Sequence, residues 1–161
     1  MRTCHAVCCL AFLSAMVPCA VAQKYTGPPP PANDVPYLKH AENLIPIEVT
    51  EAKEEKGKKD DITYVVAGEA STVRTPLASP ILILVTDKVE AAKLELYKFE
   101  VRNGRRELTV SPKKPPKTYR VELTRLNTAK LYQLEVDDSL EPGEYGLSAE
   151  GSNQVFCFQV F

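Results

Sequence analysis

The first residues that could do chemistry are three carboxylates, Asp137, Asp138 and Glu141, which lie close together in the C-terminal part of the chain. Glycan hydrolysis uses a pair of carboxylates, one as the acid and one as the base or nucleophile, on either side of the scissile bond. Pro142 and Gly143 follow at once and predict a tight turn, which is a poor setting for a cleft. A carboxylate-dependent glycan hydrolase is therefore the alternative interpretation and not the favoured one.

A cysteine and a histidine are the other candidates, because a thiolate paired with an imidazole can act as a nucleophile. The sequence has five cysteines and two histidines, but only Cys157 and His40 lie beyond residue 22. They are far apart in the sequence, and motifs of serine hydrolases, P-loops and dinucleotide-binding loops are absent. One cysteine and one histidine cannot supply the ligands of a zinc or blue-copper site. We therefore expect a non-catalytic protein without a metal or other cofactor.

Residues 1–22 have the pattern of a secretory signal peptide. Arg2 supplies a positive charge, Ala6 to Val17 form a largely apolar run, and Ala20-Val21-Ala22 is a cleavage site before Gln23. The run is too short to span a bilayer, which takes roughly 17–25 apolar residues, and no later stretch is longer. We expect a secreted or periplasmic protein, cleaved before Gln23, whose mature chain has no transmembrane segment.

Lipidation of Cys19 is the alternative to simple cleavage. Met16-Val17-Pro18 precedes this cysteine, where lipoproteins favour a Leu-(Ala/Ser)-(Gly/Ala) sequence, so simple cleavage is preferred. After cleavage before Gln23, Cys157 is the single cysteine of the mature chain. The mature chain therefore cannot form an internal disulfide, although its compartment would preserve one.

Apolar residues alternate with polar ones through most of the chain after residue 45, which is typical of β-strands. Residues 47–49 and 62–66 alternate on either side of a charged segment, residues 51–61, and predict a hairpin. The unbroken apolar run Ile81 to Val85 predicts a strand buried on both faces, and Tyr97, Phe99 and Val101 are expected on one inward face. Asn103-Gly104 predicts a tight hairpin turn. About eight strands and little helix predict an antiparallel β-sandwich.

Cys157 lies on the last predicted strand. Phe156, Phe158 and Val160 share one face of it, so Cys157 points to the opposite side, which we take as an outer face that a loop could cover. A free cysteine behaves as a small apolar residue, and no basic residue is adjacent in sequence to lower its pKa. We expect Cys157 to be chemically inert.

Basic residues concentrate in one part of the sequence, although the whole chain has a formal net charge of −1. This candidate anion or partner surface consists of Arg102, Arg105, Arg106, Lys113, Lys114 and Lys117. The arginines flank the Asn103-Gly104 turn and the lysines lie in the next loop, so the two groups are expected at opposite ends of the sandwich. Physiological salt screens charges over such a distance, so the two groups cannot reinforce each other. The sequence therefore predicts at most weak anion binding. Nucleic acid is not an expected partner, because no basic-aromatic motif is present.

The stretch EPGEY, residues 141–145, resembles the tyrosine corner of immunoglobulin-like domains, commonly Asp-x-Gly-x-Tyr, with Gly143 and Tyr145 at the matching positions. In that corner the tyrosine hydroxyl bonds to the chain a few residues upstream. Glu141 replaces the usual aspartate, and Leu147 stands where antibody domains have a cysteine. The chain is therefore similar to exported bacterial proteins with a disulfide-free immunoglobulin-like β-sandwich, whose last strand often closes with the Phe-x-Val pattern seen at Phe158. This resemblance implies a fold and no activity.

The sequence thus predicts a signal peptide at residues 1–22, a proline-rich extended segment at residues 23–44 and a β-sandwich domain at residues 45–161. The expected function is an exported, non-catalytic module that binds a protein or polysaccharide of the cell envelope or has a structural role there.

Export should leave a mature chain that begins at Gln23. Intact-mass measurement of the exported protein is expected to give the mass of residues 23–161. A diacylglyceryl adduct on Cys19 would show instead that the lipoprotein alternative is correct.

Overall fold

The computed structural model describes residues 25–57, 60–126 and 130–161. Within these ranges the protein is all-β, with antiparallel sheets and one short 3₁₀ turn, Ala91–Lys93, which confirms the predicted class. Cys157 is a free thiol. No helix among the described residues is long and apolar enough to cross a bilayer. The predicted signal peptide, its cleavage site and Cys19 lie outside the described residues, as do Lys58 and Lys59 of the charged segment.

The described residues form 15 strands in three sheets. Sheet A contains, in spatial order, β12 (Val121–Arg125), β13 (Leu131–Val136), β7 (Ile81–Val85), β1 (Tyr37–His40) and β2 (Asn43–Pro46). Sheet B contains β11 (Thr118–Tyr119), β8 (Leu94–Lys98), β14 (Gly143–Ala149), β15 (Gln154–Val160) and β3 (Glu48–Glu51), and the short β6 (Arg74–Thr75) pairs in parallel with the end of β15. Sheet C contains β4 (Lys53–Lys56), β5 (Ile62–Ala67), β10 (Arg105–Val110) and β9 (Glu100–Arg102).

The number of strands exceeds the eight predicted because the chain changes sheet at single-residue bends. These bends are Ile47 from sheet A to B, Ala52 and Phe99 from B to C, and Arg120 from B to A. Stacked sheets form their corners in this way. Val101 was expected to face inward with Phe99, but it is 49% exposed, because the bend at Phe99 moves it to β9, the edge strand of sheet C.

Sheet B is buried on both faces. Its large apolar side chains face sheet A, where they form the main core: Tyr145 and Leu147 of β14 and Phe156, Phe158 and Val160 of β15 pack with Leu82, Leu84, Leu134 and Val136. Val155 and Cys157 face sheet C instead, where they pack with Ala52, Val66 and Phe99. The prediction that the two phenylalanines and Val160 share a core face is confirmed, and the face behind them is covered by a whole sheet.

The predicted hairpin at Asn103-Gly104 is present, whereas the one predicted between residues 47–49 and 62–66 is wrong, because these two strands do not pair with each other. Asn103 and Gly104 have φ angles of 53° and 74°, and Arg102 pairs with Arg105 across them, which is the geometry that an Asn-Gly turn favours. Residues 53–56, which were assigned to a charged turn, form β4 and pair with β5. β3 pairs instead with β15 in sheet B, because the bend at Ala52 separates it from β4, and the observed hairpin joins β4 to β5.

The N-terminal segment is attached to sheet A. Tyr25 packs on the outer face of that sheet, near Ile83 and Leu131, and β1 pairs with β7, so the sheet already begins at Tyr37, within the segment expected to precede the domain. Asp34 Oδ1 accepts the backbone N–H groups of residues 87, 88 and 89 at 2.8–2.9 Å. Burial raises the pKa of this carboxyl, but the hydrogen bonds outweigh burial and lower it to about 2.

The predicted tyrosine corner is present in its geometry. Tyr145 is fully buried, and its hydroxyl donates to the carbonyl oxygen of Glu141 at 2.7 Å. Its ring stacks on Phe158, with the ring centroids 5.8 Å apart. Gly143 has a φ of 155°, which only glycine adopts without strain. The corner therefore fixes the entry of β14 into the main core.

Replacing Tyr145 by Phe should lower the free energy of unfolding by about 1 kcal/mol, because it removes one buried hydrogen bond and keeps the ring. Tyr132→Phe is the matched control, since its half-buried hydroxyl has no hydrogen-bond partner among the described residues. Urea unfolding of the two variants tests this, and equal losses of stability would contradict the corner.

Candidate functional site

The carboxylates first considered for catalysis lie around a strand bend and not in a cleft. Asp138 accepts the backbone N–H of Arg120 at 2.7 Å, and Asp137 lies 3.2 Å from the guanidinium of the same residue. Glu141 is exposed and lies 3.3 Å from Lys98 Nζ. Asp137 and Asp138 therefore hold the bend between β11 and β12, and Glu141 pairs with β8.

The candidate basic surface is not assembled as expected. Arg105 is held by Glu55, at 2.8 and 3.0 Å, and by Glu107 at 2.5 Å, and Arg102 forms an exposed ion pair with Glu100. In the following loop Lys113 and Lys114 are exposed, and the Lys117 ammonium lies 4.5 Å from the centre of the Tyr119 ring.

The prediction that Arg106 belongs to this surface is wrong, because its side chain is buried between sheets B and C, with 1% exposed. It lies on the inward side of β10, and its charge alone does not distinguish it from the basic residues beside it in the sequence.

Arg106 is the centre of a buried polar cluster. Its Nη2 donates to Glu48 Oε1 at 2.7 Å and to the Ala67 carbonyl at 2.8 Å, and its Nη1 donates to Ser71 Oγ at 2.8 Å. Ser71 in turn donates its N–H and hydroxyl to Glu144 Oε2 at 2.9 and 2.5 Å. The cluster joins β10 of sheet C to β3 and β14 of sheet B, so it closes one end of the space between the two sheets.

Cys157 lies beside this cluster and is fully buried. The prediction that Cys157 points away from Phe156 and Phe158 is confirmed. The expectation that it lies on an outer face is wrong, because sheet C covers that face. Burial raises the pKa of the thiol to about 12, against a smaller lowering by Arg106 and with smaller contributions from Glu48 and Glu144. A thiol with so high a pKa is not a nucleophile near neutral pH.

A cleft of about 360 Å³ opens at the other end of the space between sheets B and C. Arg106, Leu108 and Val110 alternate along the inward side of β10, so the cleft begins one step beyond the buried cluster. Its walls are aromatic and apolar and come from both sheets: Tyr64, Leu108 and Val110 from sheet C, and Tyr97, Val155 and the bend residue Phe99 on the side of sheet B. Rigid strands therefore supply most of the site.

Two carboxylates, Glu95 and Glu150, also line the cleft and are exposed to solvent. The Tyr97 hydroxyl donates to Glu95 Oε2. Burial, that hydrogen bond and the negative charges of Glu95 and Glu150 raise the pKa of Tyr97 well above its usual value, with a small contribution from Tyr64. The two tyrosines and the two carboxylates therefore act on one another electrostatically within a single site.

Gly146 allows the cleft to reach the surface of sheet B. A Cβ atom at this position would lie 2.5 Å from Phe99 Cε2 and 2.8 Å from Val155 Cγ1, which is closer than packed atoms approach. The absence of a side chain lets the Phe99 ring pack directly against the backbone of β14 beside the cleft.

The cleft residues were not predicted as a site. Tyr97 and Phe99 were expected to face inward, and they do, but Glu95 and Glu150 lie far apart in the sequence and meet only because β8 pairs with β14. The one signal was the pair of tyrosines, Tyr64 and Tyr97, at inward positions of two strands, since a buried tyrosine usually needs a partner for its hydroxyl.

Within the described ranges, no group of three or more His, Cys, Asp or Glu side chains could hold a metal ion. No protein-family model, curated protein or solved structure matches this chain.

Replacing Arg106 by Met should lower the free energy of unfolding by about 3–5 kcal/mol, because Glu48 and the fully enclosed Glu144 would lose their buried cation. Arg102→Met is the matched control: its ion pair with Glu100 is exposed, so its loss should cost less than about 1 kcal/mol. Urea unfolding of the two variants measures the difference. Equal and small losses would show that the cluster does not hold sheets B and C together.

Proposed function

We propose that this protein is an exported, non-catalytic binding module that holds a protein or polysaccharide of the cell envelope in the cleft between sheets B and C. The observation that carries the proposal is the cleft itself. At about 360 Å³ it falls within the range of small-molecule sites, about 300–1,000 Å³, and has their usual character of apolar walls with a few polar groups. Such a cleft suits a single residue or sugar unit of a larger partner.

Export rests on the sequence. The signal-peptide pattern before Gln23 supports delivery to the periplasm or to the outside of the cell, and the single cysteine of the mature chain, Cys157, needs no partner there. A sheet stacked on both sides would give the module its stability without a disulfide, because sheet B contributes to an apolar cluster on each of its faces.

We further propose that sheets A and B are an elaborated immunoglobulin-like sandwich and that sheet C is an added layer. The support is the corner at Tyr145, whose hydroxyl bonds back to Glu141, and the core formed by alternate residues of two facing sheets. The two edge strands of sheet C, β4 and β9, continue β3 and β8 beyond the bends at Ala52 and Phe99, so the cleft lies between the sandwich and the added layer.

A second candidate function, a carboxylate-dependent glycan hydrolase, is favoured by one observation. Glu95 and Glu150 line the same cleft, unlike Asp137, Asp138 and Glu141. If this function were correct, incubation with cell-wall glycans would release shorter products, and Glu95→Gln and Glu150→Gln would each abolish the release. The non-catalytic proposal predicts no products from any of the three proteins.

Filling the cleft tests the binding proposal. Leu108→Trp places an indole ring in the cleft, whereas Thr109→Trp places the same ring on the exposed side of the same strand. Immobilised wild-type protein is expected to retain a defined protein or glycan from envelope extract. Leu108→Trp should reduce that retention at least about tenfold, and Thr109→Trp should leave it unchanged. Equal retention by all three proteins would contradict a role for the cleft.

A further inference from the structure

The hydrogen-bonding groups of the cleft are mostly acceptors. The Tyr97 hydroxyl already donates to Glu95, and the Ser148 hydroxyl donates to the carbonyl oxygens of residues 152 and 154 at 3.2 and 3.0 Å. The oxygens of Glu95 and Glu150 remain available as acceptors. A ligand with many hydroxyl groups needs both donors and acceptors from its site, and the side-chain donors that remain in this cleft are the hydroxyls of Tyr64 and Ser152.

The charge of the cleft is also one-sided. The residues described as lining it include Glu95 and Glu150 but no lysine, arginine or histidine. No salt bridge joins either carboxylate to a basic side chain of the described chain. Lys88 and Lys93 line an adjoining groove that also contains Glu150, but neither forms a salt bridge with it, so a cation in the cleft would gain two carboxylates that lack a basic partner.

An open strand edge lies next to the cleft. Pro116 lines the cleft, and β11 follows it and ends the strand order of sheet B. Among the described strands, β11 pairs only with β8, so an extended segment could form backbone hydrogen bonds with its other edge. Addition of a strand to such an edge is a common mode of peptide recognition.

We propose that the cleft binds a lysine side chain of a protein partner. This inference rests on the proposed binding function and selects the protein over the polysaccharide. The aliphatic stem of the lysine lies against Leu108, Val155 and Phe99, and its ammonium reaches Glu95 and Glu150 at the rim, beside the tyrosine rings. An ammonium has three donors and no acceptor, which matches a site that has acceptors and few donors. The partner's backbone passes along the edge of β11.

Matched peptides test the charge and the source of the ligand. The probes are acetyl-Leu-Lys-Leu-amide, the same peptide with norleucine, which keeps the stem and lacks the ammonium, and the same peptide with glutamate. Titration of the full mature chain, followed by the NMR signals of Gly146 and Gly151, measures affinity. The lysine peptide should bind at least about tenfold more tightly than the norleucine peptide at low salt, and the glutamate peptide most weakly.

Charge-neutral variants locate the effect. Glu95→Gln with Glu150→Gln should reduce the preference for lysine over norleucine to less than about twofold. The control, Glu122→Gln with Glu135→Gln, removes the same charge from sheet A and should leave the preference unchanged. Raising the salt concentration should weaken the lysine peptide and not the norleucine peptide, because exposed charges are screened.

The outcomes separate this inference from the proposed function. Norleucine or glutamate peptides that bind as tightly as the lysine peptide would overturn the lysine inference and leave the cleft as a binding site. Tighter binding of free phenethylammonium than of the lysine peptide would overturn the protein source in favour of a small amine. If no peptide binds, the lysine inference fails, and the proposed function fails with it only when Leu108→Trp also leaves retention from envelope extract unchanged.

Discussion

The burial of both faces of sheet B is the constraint on which the rest of the structure depends. On β14 and β15, large side chains such as Tyr145 and Phe158 point to sheet A, while Gly146 and Cys157 point to sheet C. The main apolar core therefore lies between sheets B and A, and a smaller apolar cluster lies between sheets B and C. The smaller contact with sheet C is completed differently at its two ends.

The two ends of the contact between sheets B and C have opposite character. At one end the guanidinium of Arg106 bonds to Glu48 and Ser71 and holds the sheets together. At the other end Tyr64 and Tyr97 line a space that the protein's own side chains leave open. The buried carboxylates Glu48 and Glu144 have the guanidinium of Arg106 as their cation, whereas Glu95 and Glu150 line apolar walls without a basic partner, which favours a ligand. The buried cluster thus supports the strands that shape the cleft.

Local patterns in the sequence predicted the parts of the fold that depend on local rules. The Ile81–Val85 strand, the Asn103-Gly104 turn and the corner at Tyr145 follow from a continuous apolar run, positive φ angles and a short motif. The bends could not be predicted, because alternation with period two continues through Phe99 while the partner strand changes. Arg106 was misassigned for the same reason: which face of β10 is covered depends on a sheet formed by strands distant in the sequence. Glu95 and Glu150 meet only through strand pairing.

The accessibility of the Cys157 thiol measures most directly whether sheet C covers sheet B. The thiol can be reached only if sheet C separates from β15 or the protein unfolds, so a bulky disulfide reagent at pH 8 reports the coverage itself. We expect the native protein to react at least about 1,000-fold more slowly than the protein unfolded in urea, because reaction requires opening of a stable core. Reaction of the native protein at the rate of the unfolded chain would show that sheet C does not lie on sheet B, and the cleft between them would not exist.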